Sequence, residues 1–334
     1  MDTLADGIDR VAAEINFSGV VRVDRHGEVA FAAAYGRADR AHAVENTVDT
    51  KFATASATKG LTAMTVMRLV EQEIFDLATT ARALLGPDLA MIRDDVTIEQ
   101  LLGHRSGIGD YLDEDIDQAI DDYVLTVAAH ELATTESYVA VLDGFATKFD
   151  PGERFSYCNG GYVVLALLAE RATGTPFHEL VHEHVCERAG LVGTAFLRSD
   201  ELPGDAAMGY LSPGGLRTNV MHLPVRGNGD GGIYSTAADI HALWRAFFEG
   251  RIVSLDSVAA MTRPRSDVPS EHRRYGLGFW LHDSTDTVML VGSDAGVSFR
   301  SVHHPSGSFT HTVLSNMSHG AWPVTRRIDE LLGM

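Results

Sequence analysis

The stretch FATASATKGLTAMTVMRLV, residues 52–70, holds one of only three lysines in a chain with twenty-four arginines. A solvated cation can be either residue. An amine that must release its proton can only be lysine, because the guanidinium stays charged in proteins. Lys59 follows Ser56 by three positions, and on a helix that spacing puts both side chains on one face with Cβ atoms about 5–6 Å apart. Around them Leu61, Met64, Val66, Met67, Leu69 and Val70 make the segment apolar on nearly every side, which predicts a buried helix. Burial destabilises an ammonium ion and so makes a lysine usable as a base. A serine at the start of such a helix also has its own N–H among the unpaired donors of the first turn. Ser56 and Lys59 are therefore candidates for a nucleophile and its base, provided that another element supplies partners.

A second element does so. FDPGERFSYCNGGYVVLALLAERATG (149–174) runs from a Pro-Gly turn through Tyr157 and Asn159 into an apolar helical pattern that ends on a glycine. Both polar side chains stand just ahead of a helix, where they can reach a cleft. The plain alternative is a packed tyrosine ring and an asparagine helix cap.

Strand patterns lie at the two ends of the chain. GVVRVDRH (19–26) and EVAFAAAYG (28–36) read as a hairpin turning at His26-Gly27. Four more runs, at 275–282, 286–292, 297–304 and 308–316, precede a closing helix, WPVTRRIDELLG. At the start, Leu4, Ile8, Val11 and Ile15 keep the helical period, which predicts a packed amphipathic helix rather than a secretory leader. From about residue 56 to 260 helical patterns dominate, as in TIEQLLGH and AADIHALWRAFFEG. The expected fold class is α+β: an antiparallel sheet built from both chain ends with flanking terminal helices, plus a large, mainly helical insertion. Residues 1–55 and 265–334 would form the sheet part and 56–264 the helical part, with the active site between them.

Composition narrows the partners. The 334 residues are 45% hydrophobic and 22% charged, as in a soluble globular protein, and no apolar run reaches the roughly 20 residues that span a bilayer. A net charge of −19 argues against nucleic acid, whose recognition needs clustered Lys and Arg. Cys158 and Cys186 are too few for a disulfide framework, so a cytoplasmic location is expected. The acidic run DYLDEDIDQAIDD (110–122) reads as a solvated loop.

Taken together, these motifs resemble the serine β-lactamase-like superfamily, in the branch of class C β-lactamases, D,D-carboxypeptidases, D-aminopeptidases and family VIII carboxylesterases. Ser-x-x-Lys followed much later by Tyr-x-Asn is that branch's signature, where class A relatives carry Ser-Asp-Asn. The likeness extends in order through residues 19–40, LLGHRSGIGDY (101–111), DGGIYSTAADI (230–240) and YGLGFW (275–280). It implies attack by Ser56 on a carbonyl to give an acyl-enzyme. Lys59 and Tyr157 would share the acid–base work as a coupled pair, and Asn159 would orient Lys59 and bind substrate. No cofactor and no metal are implied.

The third family element departs from the pattern. Relatives carry Lys-Thr-Gly or His-x-Gly there, and the matching stretch is LVGSDAGVSF (290–299). Gly292 keeps the glycine, and the Ser293 N–H would join that of Ser56 as oxyanion donor. The basic residue is replaced by Leu290, which weakens a β-lactamase or carboxypeptidase reading and favours an esterase. Arg300 is the nearest cation that could take over the role.

Two lookalikes carry less. HELVH (178–182) matches a zinc-protease pattern, but Val185 stands where the extended form needs glycine, and the bland reading is a helix face. GNGDGG (227–232) lacks the lysine of a phosphate loop and reads as a loop bordering the cleft. His104 reads as structural. The expected function is a serine hydrolase acting on a small ester or amide. The alternatives are a β-lactamase or D-amino-acid amidase or peptidase, and a catalytically silent relative that binds a ligand in the same cleft. Substrate and oligomeric state are open.

Overall fold

In the computed structural model, which describes residues 3–116 and 120–333, the two chain ends meet in one sheet. Strands β1 (Gly19–Arg25) and β2 (Glu28–Tyr35) form the expected hairpin. His26 and Gly27 have φ of 51° and 81°, the left-handed pair whose twist suits a two-residue connection. Six further strands follow: β3 (Ser266–Val268), β4 (Arg273–Tyr275), β5 (Trp280–His282), β6 (Val288–Asp294), β7 (Val297–His304) and β8 (Phe309–Ser315). The order across the sheet is β2-β1-β8-β7-β6-β5-β4-β3, antiparallel throughout. At the junction of the two ends Val20 faces Leu314 and Val21 faces Val313.

The period of two sorts these residues onto two cores. Val21, Val23 and Val313 pack with Ile8, Ala12, Val324 and Ile328 under the terminal helices α1 (Leu4–Glu14) and α5 (Ala321–Leu332). Val20 and Leu314 belong to the larger core on the other side, with α2 (Thr58–Glu71), α3 (Asn159–Thr173) and α4 (Ala237–Phe248). Helix α1 starts from a capping box of Thr3 and Asp6. Helix α3 ends on Gly174 at φ 72°, as its glycine suggested.

Three expectations are corrected. The run 275–282 is not one strand: β4 stops at Tyr275 and β5 starts at Trp280. Between them Gly278 turns at φ 89° so close to α2 that a methyl would overlap the Ala63 side chain, while Leu277 and Phe279 are buried. The insertion is also less helical than its patterns suggest, since residues 103–158 hold only short turns among the described residues. Glycines at positive φ (Gly107, Gly144, Gly152) interrupt it. Finally, the acidic run is a solvated loop only in part: Glu114, Asp115, Ile116 and Asp122 are exposed, but Asp110 is 5% exposed, and Lys148 pairs with Asp113 and Asp115 at 2.8 and 2.6 Å. Positions 117–119 of that run lie outside the described residues. Among the described residues no helix is long and apolar enough to cross a membrane.

Candidate active site

Ser56 sits in a tight turn, Ala55–Ala57, between a short strand pairing (Phe52 with Ser235, Ala53 with Tyr234) and the start of α2. Ala55 has φ 47°, a conformation that costs a non-glycine residue roughly 1–2 kcal/mol. Neighbouring hydrogen bonds hold the turn in place. The Thr58 hydroxyl donates to the Ala55 carbonyl at 2.7 Å and accepts from the Ile233 amide at 3.1 Å, while the Thr54 amide donates to the Ile233 carbonyl at 2.9 Å. From the other side β6 presses on the same turn. A methyl at Gly292 would overlap the Thr54 carbonyl oxygen and stand 3.1 Å from the amide nitrogens of Ser56 and Ala57. Glycine at 292 is therefore what lets Ser293, on the cleft wall, come beside Ser56.

Lys59 is 1% exposed. Its Nζ lies 2.8 Å from Ser56 Oγ, 2.7 Å from Asn159 Oδ1 and 2.7 Å from the Asp230 carbonyl oxygen. Two of these partners can only accept. A neutral amine has two N–H donors and one lone pair, so donation to Asn159 and Asp230 leaves the lone pair for the Ser56 hydroxyl. Burial holds the Lys59 amine below its ordinary range, opposed by the negative charges of Asp230, Glu114, Asp110 and Asp294.

Asn159 opens α3, and its amide and that of Gly160 donate to the buried Asp110 carboxylate at 2.5 and 2.8 Å. The Asn159 Nδ2 donates to the Leu112 carbonyl at 2.9 Å and to Glu114 at 3.3 Å, which leaves Oδ1 turned to Lys59. The Tyr157 ring lies 4.9 Å from Lys59 Nζ and stacks on Trp280. Burial and the Glu114 charge push the Tyr157 phenol well above its usual range, against a lowering contact with Ser56. Desolvation also raises the carboxyls at the site, Asp110 to about 6 and Asp294 to about 7. The chain thus brings together Ser56, Lys59, Tyr157, Asn159, Gly292 and Ser293, separated by up to 237 positions.

Leu290 does not line the cleft. It is 2% exposed and so close to α2 that a methyl on Gly60 would overlap it. Arg300 is no substitute for the missing cation, because it pairs with Asp329 of α5 at 2.6 Å, turned to the terminal helices. Leu290→Lys is therefore expected to destabilise the protein by roughly 4 kcal/mol, the penalty of a buried lysine shifted by about three pKa units. Urea unfolding checks this; a variant as stable as the parent would place position 290 against the cleft.

The two lookalike motifs find ordinary roles. His178 donates to the Gly227 carbonyl at 2.8 Å, whereas His182 lies 3.4 Å from Glu187. Among the described residues no group of three or more His, Cys, Asp or Glu is arranged to hold a metal. The glycine loop does border the cleft, but it does more than border it. A methyl on Gly229 would overlap the Tyr162 carbonyl, and this close approach carries the Asp230 carbonyl onto Lys59.

The Beta-lactamase family profile matches residues 8–328. A crystal structure of a penicillin binding protein from Bacillus halodurans superposes with a TM-score of 0.90 at 31% identity, over 97% of this chain and 99% of that one. A putative penicillin-binding protein PbpX of Bacillus subtilis is 27% identical over 97% of this chain and 78% of its own length. A D-aminopeptidase of Brucella anthropi is 27% identical over 80% of this chain, which spans only 49% of that protein. Fold and relatives together define a serine hydrolase. The chain belongs to the Beta-lactamase family.

Several groups at the site were not legible in the sequence: the Asp230 carbonyl, Asp110 beneath Asn159, and the carboxylates Glu114 and Asp294. The acidic run and the glycine loop were visible as segments, but nothing in their spacing points to Lys59.

Proposed function

We propose that the protein hydrolyses a small ester or amide through an acyl-enzyme on Ser56, in a cleft between the sheet part (1–55 and 265–334) and the insertion (56–264). The observation that carries this reading is the bonding at Lys59 Nζ, 2.7–2.8 Å from Ser56 Oγ, Asn159 Oδ1 and the Asp230 carbonyl; a neutral amine that donates to the last two turns its lone pair to Ser56. As Ser56 Oγ attacks the carbonyl carbon, its proton passes to Lys59. The oxyanion is held by the amides of Ser56 and Ser293, a donor pair of the kind worth about 2.7–4 kcal/mol each. Tyr157, kept as a neutral phenol by burial, gives its proton to the leaving group and is recharged from the Lys59 ammonium. Attack by water on the acyl-enzyme reverses these transfers and returns the proton to Ser56. Asn159 fixes the amine and faces the substrate.

Labelling with a fluorophosphonate tests the reading. A single adduct on Ser56, absent in Ser56→Ala and Lys59→Ala, is expected, and an unlabelled protein would favour the silent binder. An esterase or amidase is preferred to a β-lactamase because Leu290 brings no cation to the substrate's carboxylate. Glu114, Asp230 and Asp294 line the cavity that opens on Ser56, so neutral esters are expected to be cleaved at least tenfold faster than anionic ones of matched size. Equal kcat/KM values for such a pair would contradict that charge selection. We further propose a cytoplasmic location, on the paucity of cysteine.

The surrounding charges also set the pH dependence. Asp230 is the largest charge opposing the depression of the Lys59 amine. In Asp230→Asn, which keeps an acceptor for the Tyr111 hydroxyl, the amine therefore ionises less readily. The acid limb of kcat/KM is expected to move to lower pH; a limb that stays or moves upward refutes Lys59 as the titrating base.

A further inference from the structure

We propose that His104 is a positioning residue for Tyr157, gripping the chain on both sides of it so that the phenol meets the leaving group. This rests on the hydrolase reading above. The Ser156 amide donates to the His104 carbonyl at 2.9 Å, and the Cys158 amide donates to His104 Nδ1 at 3.0 Å. One residue thus holds the backbone immediately before and after Tyr157, from a turn that puts His104 itself at φ 53°. Its ring lies against the Tyr157 ring, with centroids 4.2 Å apart and planes at 33°.

The chemistry requires a neutral imidazole. Nδ1 accepts from Cys158, so the ring proton sits on Nε2. That nitrogen has no hydrogen-bond partner among the described residues, and the ring also packs against Tyr162 and Tyr275. Burial opposes protonation, and so does the charge that Lys59 carries once it has taken the Ser56 proton. A purely space-filling residue among these rings would be served by an apolar side chain. Histidine adds an acceptor at the point where the Cys158 amide needs one, and the Tyr157-Cys158-Asn159 segment carries both the proton donor and the partner of Lys59.

A proton donor matters in proportion to how poorly the leaving group departs. p-Nitrophenolate leaves without a proton, whereas ethoxide does not. The test compares kcat/KM, which reports acylation, for p-nitrophenyl butyrate and ethyl butyrate, per Ser56 site titrated by fluorophosphonate. In His104→Phe, which keeps a ring and loses the acceptor, ethyl butyrate is expected to lose at least tenfold more than p-nitrophenyl butyrate, approaching Tyr157→Phe. His104→Asn, which places an acceptor near the position of Nδ1, is expected to restore the ratio to within about threefold of the parent. If phenylalanine prevents folding, His104→Leu takes its place. Equal losses on the two esters, an unmoved ratio, or no rescue by asparagine overturns the assignment. A parent protein that takes no label and cleaves neither ester overturns the hydrolase reading and this one with it.

Discussion

Arginine at position 59 is expected to lower kcat/KM about 10³-fold, within the span assigned to a positioned general base, and to do no better than alanine. The substitution keeps a cation on a long side chain, so a merely electrostatic role for Lys59 would survive it in part. What it removes is the lone pair, since a guanidinium has donors only and does not deprotonate in proteins. Asn159 Oδ1 and the Asp230 carbonyl would still find donors, while the Ser56 hydroxyl would face an N–H instead of an acceptor. Hydrolysis of a p-nitrophenyl ester and the rate of fluorophosphonate labelling both read the loss. An arginine variant within tenfold of the parent would remove Lys59 from the reaction.

Gly292→Ala is expected to damage activity more than stability. The methyl meets backbone, the Thr54 oxygen and the amide nitrogens of Ser56 and Ala57, and these atoms cannot rotate away as a flexible side chain would. Strand β6 must then withdraw from the nucleophile turn. Overpacking of this kind costs about 1–3 kcal/mol, which leaves a protein of ordinary stability folded. Withdrawal also moves the Ser293 amide away from the developing oxyanion, a loss of about 10²–10³ in kcat. Denaturant unfolding and kcat measured on the same preparation separate the two effects. Unaltered kcat in a destabilised variant would mean that Ser293 is not an oxyanion donor.

What was legible in the sequence is what local periodicity and a resemblance can carry. The all-round apolar stretch after Lys59 predicted a buried α2, and the alternation on either side of His26-Gly27 predicted the hairpin. Strands at both ends predicted one shared sheet. What stayed hidden depends on contacts between segments far apart, made largely by backbone atoms. Asp230 holds Lys59 through its carbonyl across 171 positions, and any residue type could offer that carbonyl. Asp110 looked like one more solvated acid because its partners are the amides of Asn159 and Gly160, which leave no mark on residue choice near position 110. Leu290 could be aligned to a motif position from sequence. That its side chain turns into α2, and not into the cleft, depends on the approach of β6 to Gly60.

The proton on Lys59 is the quantity on which the account turns, and the scarcity of lysine makes it measurable. With ¹³C-labelled lysine the protein presents three side chains, Lys51, Lys59 and Lys148. Lys51 pairs with Asp205 at 2.8 Å, and Lys148, against the opposing effect of its burial, is held above its ordinary range by Asp113 and Asp115. NMR titration of the Cε signals is predicted to show the Lys59 midpoint, identified by the signal missing in Lys59→Arg, well below that of Lys148. A Lys59 amine that stays protonated across the pH range of activity would contradict the account.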